Sequence, residues 1–388
     1  MTTFLIVAHG TDGDVLPVIR IGRELRRRGH GVALLSHARY SRRARQAGIR
    51  FVAVDTVAGD ETGQADDGAD INGLGQRRDL DRVRGYYERH GFFAQFRFEC
   101  RALSRLHREG ETVLVGLSLS SLSLLTAAEG LRAPAVCVAA SPFHLAVIPH
   151  AAAEYQQIFG PGIEPARREL GLPTVPDWST WLLSADLQVG TWPGWFDAAG
   201  EPAPPGARIV GFVLADEDDD DPMPADLEPD AVLITGSSGR LTSADFYSTA
   251  VAAAVKVGRP ALVVTRDRDL VPDPLPPNVR WLPRLPFRDA MPKMAVVVHH
   301  GGIGTMARAL AAGTPQLVLA DGFDRPDNAR RLTAVSLAEW LPAARLDADD
   351  AADHLSTVLA RGRPSLPPGA EPVDSVSAAA DALESVTG

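Results

Sequence analysis

Residues 296–316 read VVVHHGGIGTMARALAAGTPQ, and the fold class turns on how they are parsed. The β-branched run Val296–Val298, with glycines close behind it, has the pattern of a strand buried on both faces, as in a parallel sheet. The alanine-rich stretch from Met306 to Ala312 predicts a helix, closed by Gly313 and then Pro315. The loop between them, His299-His300-Gly301-Gly302-Ile303-Gly304-Thr305, therefore carries a strand into a helix N-terminus. Such a turn aims free backbone N–H groups and the positive helix end at one point, which suits an anion. Glycine lets the backbone approach a ligand closely, and Thr305 is placed to cap the helix or touch the same anion. Neighbours on a strand face opposite ways, so one imidazole is expected to face the anion while the other supports the loop.

The same alternation extends in both directions. TFLIVAH (3–9) predicts a strand, followed by the loop Gly10-Thr11-Asp12-Gly13-Asp14. A helix is expected from about Leu16 to Arg28, with Leu16, Ile19, Ile21 and Leu25 on or near one face and Gly29 as its stop. GVALLSH (31–37) and IRFVAVD (49–55) read as further strands with a helix between them, and residues 112–118, 123–131 and 134–140 continue the β/α units. Residues 59–75 are rich in Gly and Asp and predict a loop. A proline-rich stretch with an acidic run at 216–221 predicts a solvated, charge-extended linker rather than a metal site. The pattern then restarts with strands at 231–239, 260–266, 278–285, 295–300 and 316–321, and helices through 250–257 and 328–334. This predicts an α/β protein of two facing Rossmann-like, doubly wound parallel-sheet domains, 1–208 and 209–388, with a ligand cleft between them. The last helix is free to return to the first domain.

Composition narrows the partners. A formal net charge of -10 argues against nucleic acid and against an anionic membrane surface. No run of 18 apolar residues occurs, and MTTFLIVAHG breaks to His and Gly after one strand's length, so neither a signal peptide nor a span is expected and the cytoplasm is the expected compartment. Cys100 and Cys137 stand in apolar contexts and read as buried thiols. Gly10-x-x-Gly13 lacks the third glycine of a dinucleotide fingerprint, and Leu35-Ser36-His37 supplies no acid for a ribose, so a nicotinamide enzyme is disfavoured.

Two segments carry a family resemblance. GTDGDVLPVIRIGRELRRRGHGV (10–32), together with WLPR (281–284), HHGGIGT (299–305) and AAGTPQLVLADGFDRPDNARRL (311–332), resembles the bacterial natural-product branch of the GT-B glycosyltransferases. These are inverting, metal-independent enzymes that glycosylate antibiotic aglycones. The resemblance implies a dTDP- or UDP-sugar donor, no cofactor and no metal. It implies that His300, with Gly301, Gly302, Gly304 and Thr305, holds the donor diphosphate, with His299 beside them. Gly236, Ser237 and Ser238 would reach the phosphates; Trp281 would stack on the base, next to Leu282 and Arg284, where Arg284 replaces the family's Gln. Asp324 would accept bonds from sugar hydroxyls. Arg325 stands where relatives carry Gln, and is expected to pair with Asp324 or Asp327 and leave a smaller pocket suited to a deoxysugar, with a reach to a carboxylate or other acceptor on the sugar itself as the alternative. Asp14 matches the residue that takes the acceptor's proton, with Asp12 as its competitor; Asp14 also reads as a helix cap. His9, Asp12, Phe143 and His144, with the 59–75 loop, are assigned to the acceptor by position.

The implied activity is inverting transfer of a sugar, here a deoxysugar, to a hydroxyl of a small apolar acceptor. A homodimer is left open. Two rivals stand beside it: a nucleotide-sugar epimerase of the same fold, and a non-catalytic nucleotide-sugar-binding partner of a transferase.

Overall fold

The computed structural model describes residues 1–55, 80–117, 121–214, 222–237, 242–320, 322–368, 370 and 373–387. The expected 59–75 loop and the acidic run 216–221 lie outside the described residues. Two sheets organise the chain. The first runs β3-β2-β1-β4-β5-β6-β7, from β1 (Thr3–Val7), β2 (Gly31–Ser36), β3 (Arg50–Ala53), β4 (Thr112–Leu117), β5 (Ala135–Ala139), β6 (Leu187–Gly190) and β7 (Arg208–Ile209). The second runs β10-β9-β8-β11-β12-β13, from β8 (Val232–Thr235), β9 (Ala261–Val264), β10 (Val279–Leu282), β11 (Val296–His299), β12 (Gln316–Ala320) and β13 (Glu339–Pro342). Every pairing is parallel. Both orders reverse direction once, between β1 and β4 and between β8 and β11, which are the two switch points where loops diverge and leave a crevice.

The apolar strands behave as their composition dictates: β1, β8 and β11 are buried almost throughout, with helices covering both sheet faces. The two thiols are buried and unpaired in disulfides, and burial pushes Cys100 up to about 12 and Cys137 to about 11.

The helices differ from expectation at their starts. The first runs Asp12–Arg27 rather than from Leu16, because Thr11 caps it and Asp14 returns the bond to Thr11 N–H. The helix after β11 runs Ile303–Ala311, so it begins before Met306; Gly302 is its cap residue, and Thr305, already inside, does not cap it. A 22-residue helix, Ile148–Glu169, contains Pro161 and Pro165 and was not expected. Pro161 frees the carbonyl of Gln157, and the Arg84 guanidinium lies 3.4 Å from that oxygen. Phe93 packs so closely against the same helix that a side chain at Gly162 would overlap its ring. The last helix, Ser375–Glu384, lies against the first helix, with Ala379, Ala380, Ala382 and Leu383 in one core with Val15, Val18, Ile21 and Leu25.

Candidate functional site

The site grows from the switch point of the second sheet. At the end of β11 the two histidines separate as adjacent strand residues must. His299 is fully buried: its Nε2 lies 3.0 Å from Gln316 Oε1 on β12, and its Nδ1 accepts from Gly301 N–H at 3.1 Å. The ring is thereby a support for the loop, and burial pushes it down to about 4. His300 lies across Gly302, where an added Cβ would run into the imidazole, and its Nδ1 makes no well-formed hydrogen bond. Burial first, then the charge of Arg325 and then His299, hold His300 well below the usual range. At neutral pH it is an uncharged ring with one N–H to offer.

Gly301 takes φ of +90°, and a Cβ there would press on Cβ and the carbonyl of Arg325 at 3.0 and 3.1 Å. Close approach and left-handed backbone both demand glycine. The loop then opens the Ile303–Ala311 helix, whose first N–H groups have no partner within the helix.

Opposite this helix start stands that of Asp12–Arg27. A Cβ on Gly304 would lie 3.7 Å from Cα of Gly13, so the two N-termini, one from each sheet unit, approach closely. Asp14 sits at this junction. Its Oδ2 accepts from Thr11 N–H at 2.7 Å and from Thr11 Oγ1 at 2.9 Å. Burial pushes its carboxyl up, against the Thr11 backbone bond; His144 draws it down and Asp324 pushes it further up. Asp14 and His144 of the first unit therefore share a field with Asp324 of the second.

Asp324 precedes the helix Arg325–Ala334, and its Oδ2 accepts from Asn328 Nδ2 at 2.9 Å. Arg325 is 5% exposed, with its guanidinium carbon 6.0 Å from the Phe323 ring centre. Asp327, expected as one partner of Arg325, accepts from Arg331 Nε at 2.7 Å, a pairing that four-residue helical spacing favours.

The remaining expected residues lie further out. Gly236 follows β8 under the Tyr247 hydroxyl, and Ser237 N–H donates to Thr242 Oγ1 at 3.0 Å; Ser238 lies outside the described residues. Trp281 and Leu282 end β10, which two strands, β9 and β8, separate from β11, and they point to opposite faces of the sheet. Trp281 is half-buried, donates from Nε1 to the Thr265 carbonyl at 2.9 Å and has the Arg268 guanidinium 5.9 Å away; Arg284 is exposed. In the first unit, His9 Nε2 lies 2.7 Å from Glu99 Oε1, and its ring stacks on His37 with centroids 5.1 Å apart. Glu99 also accepts from Ser123 Oγ and Gln95 Nε2. Asp12 is half-buried at the first helical position, and Phe143 and His144 open the short helix Phe143–Ala146. Glu99, Ser141 and Arg331 were not singled out from the sequence; Ser141 directly follows β5 and its loop, a place where ligand contacts gather.

Among the described residues, no group of three or more His, Cys, Asp or Glu gathers as a metal would need, and no helix is long and apolar enough to cross a membrane.

Two doubly wound units meeting over a helix N-terminus of this kind are the arrangement of GT-B proteins. Over the whole chain, the solved spinosyn rhamnosyltransferase SpnG superposes with a TM-score of 0.67, 22% identity and coverage of 100% of this chain and 96% of that one. Residues 4–90 match the glycosyltransferase family 28 N-terminal domain, and residues 249–369 match the erythromycin biosynthesis protein CIII-like C-terminal domain. The chain thus has the GT-B fold, and two of its segments match domains of glycosyltransferase families. It is 39% identical over 112 residues to the TDP-daunosamine transferase DnrS of Streptomyces peucetius, a match that covers 28% of this chain and 25% of that protein. It is 31% identical over 160 residues to the O-mycaminosyltylonolide 6-deoxyallosyltransferase of Streptomyces fradiae, covering 39% and 37%. The chain thus spans about a quarter to two-fifths of the length of these curated relatives.

Proposed function

We propose that the protein transfers a sugar from a nucleoside diphosphate to a hydroxyl of a small apolar acceptor, with inversion and without a metal. The first unit, built on the seven-stranded sheet, takes the acceptor, and the second, built on the six-stranded sheet, takes the donor. The observation that carries this reading is the close approach, at Gly13 and Gly304, of the helix start that holds Asp14 to the helix start that follows the His300 loop. Asp14 accepts the proton of the acceptor hydroxyl as its oxygen bonds to the anomeric carbon. The bond from that carbon to the diphosphate oxygen breaks on the opposite face, and the diphosphate leaves with the electron pair. The helix start at Ile303, the N–H groups of Gly302 and Gly304 and the neutral His300 N–H face the leaving group, which places fixed dipoles where charge develops. Burial raises the Asp14 carboxyl and so makes it a better base than a free aspartate.

Trp281 lies three strand spacings from β11, roughly 14 Å to cross at normal strand spacing, a span that a nucleoside diphosphate fills with its base at the tryptophan. The sugar is a deoxysugar: Arg325 brings a fixed cation where a neutral amide would satisfy hydroxyls, and the relatives include proteins named for daunosamine and 6-deoxyallose transfer.

The test is a thermal-shift comparison of dTDP and UDP, followed by competition between a dTDP-deoxysugar and UDP-glucose as donors. The nucleotide that binds raises the melting temperature by mass action. In Arg325→Gln the kcat/KM ratio moves toward UDP-glucose; an unchanged ratio places donor choice elsewhere. Conversion of donor alone into a sugar isomer would instead favour an epimerase.

A further inference from the structure

We infer that Asn328 is a positioning residue that ties the donor loop to the acceptor unit, so that occupation of one half orders the other. The inference rests on the reading of residues 299–305 as the donor-diphosphate site. It begins with the hydrogen bonds of one fully buried amide. Asn328 Nδ2 donates to the Gly301 carbonyl at 3.0 Å and to Asp324 Oδ2 at 2.9 Å, while Asn328 Oδ1 accepts from Ser141 Oγ at 2.9 Å. Both Nδ2 hydrogens and the carbonyl oxygen are therefore engaged, which fixes the orientation of the amide.

The three partners belong to three parts of the proposed reaction. Gly301 begins the diphosphate loop, Asp324 faces the sugar, and Ser141 stands in the turn that leads to Phe143 and His144 on the acceptor side. Ser141 and Asn328 are both 0% exposed, so water does not replace the bond between them. One helical turn further on, Arg331 reaches into the same first unit: its guanidinium donates to the carbonyls of Phe196, Asp197 and Glu201 at 3.1, 2.7 and 2.6 Å. Arg331 anchors the helix Arg325–Ala334 to the first unit at a distance from the loop, whereas Asn328 hydrogen-bonds that anchored helix to the loop itself. The anchor holds the units together; the amide adds a hydrogen-bonded register between the leaving group and the attacking hydroxyl, beside the packing of Arg325 against Gly301.

Ser141→Ala severs the bridge while leaving both Nδ2 bonds of Asn328 in place. The expected result is a kcat lowered about tenfold with nucleoside diphosphate affinity within about twofold of wild type, a split expected when a contact matters to alignment rather than to ground-state binding. Ser141→Thr keeps the hydroxyl and recovers most of the loss. Asn328→Ala lowers both kcat and affinity, and Ser141→Ala added to it lowers kcat no further. Hydrogen exchange provides a readout independent of turnover. Saturating dTDP or UDP slows exchange at residues 299–305 and also at the turn amides of His144, Leu145 and Ala146; in Ser141→Ala only the first protection survives. Multiplicative kcat losses, or nucleotide protection at 299–305 in wild type with no change at 144–146, would overturn the inference. If wild type shows no protection at 299–305 with either nucleotide, the donor-site reading itself fails, and this inference falls with it.

Discussion

Asp14 holds two positions at once: third residue of a capped helix and proposed base. As a cap it accepts twice from Thr11, which favours the ionised form, yet burial and Asp324 oppose that and the carboxyl is raised overall. A base needs this balance, ionised before the reaction and basic enough to hold a proton during it. Asp14→Asn keeps the acceptor oxygen for Thr11 and almost the same volume, so folding and nucleotide binding survive. Turnover falls about a hundredfold or more, the usual contribution of a general base. Steady-state kinetics with dTDP protection measured alongside checks this; near-normal turnover in Asp14→Asn with loss in Asp12→Asn would move the role to Asp12. The placement of Asp14, His300 and the glycines just after strands was legible because apolar runs mark where the strands end. Asn328 and Ser141 were not, because a bond between residues 187 positions apart leaves no periodic trace in either segment.

At the scale of elements, strands were legible from apolar runs, while helix starts were hidden behind glycines and prolines. Gly13 and Gly304 look like loop residues in sequence, and both lie inside helices because a cap and a close crossing outweigh their small propensity cost. The helix Ile148–Glu169 was missed for the same reason: two prolines argue against a helix unless tertiary partners take up the freed carbonyls. The strand β11 carries a pH signature of its own. His299 is held down to about 4 in the fold, against about 6.5 when unfolded, so the unfolded chain binds the extra proton first as pH falls. Its contribution is complete above pH 6.5 and is lost as the pH drops toward 4, about 2 kcal/mol of it by pH 5. Urea unfolding at pH 7.5 and pH 5 should therefore show a larger loss in wild type than in His299→Asn, which keeps polar atoms beside Gln316. His300, still present in both proteins, cancels in the comparison. Equal losses would mean that His299 titrates alike in the two states.

At the scale of the molecule, the C-terminal helix decides how the two units share stability. The chain leaves the second sheet, and the helix Ser375–Glu384 closes the core of the first. Two kinds of contact hold it there. Arg28 meets Asp381 and Glu384 at 2.5 and 2.7 Å, and His30 meets Glu384 at 2.7 Å. Beneath them Leu383, 1% exposed, shares the core of Val15, Ile21 and Leu25. The magnitudes separate the two. Ion pairs whose partners remain partly solvated contribute from nothing to about 1 kcal/mol and weaken with salt. Truncating a fully buried leucine to alanine costs about 2–5 kcal/mol, since the transfer term is lost and the cavity persists. Leu383→Ala should therefore lower the unfolding free energy by about 2–4 kcal/mol, nearly independent of salt. Glu384→Gln should cost about 1 kcal/mol or less, with the difference vanishing near 1 M NaCl. Chemical denaturation of both variants at low and high salt decides between them. A Glu384→Gln loss larger than that of Leu383→Ala would show that charge rather than apolar burial fastens the second unit's terminal helix to the first. The same series reads out coupling between units: with the helix in place the two sheets unfold in one transition, and in Leu383→Ala the first sheet, having lost part of its own core, unfolds at lower denaturant than the second.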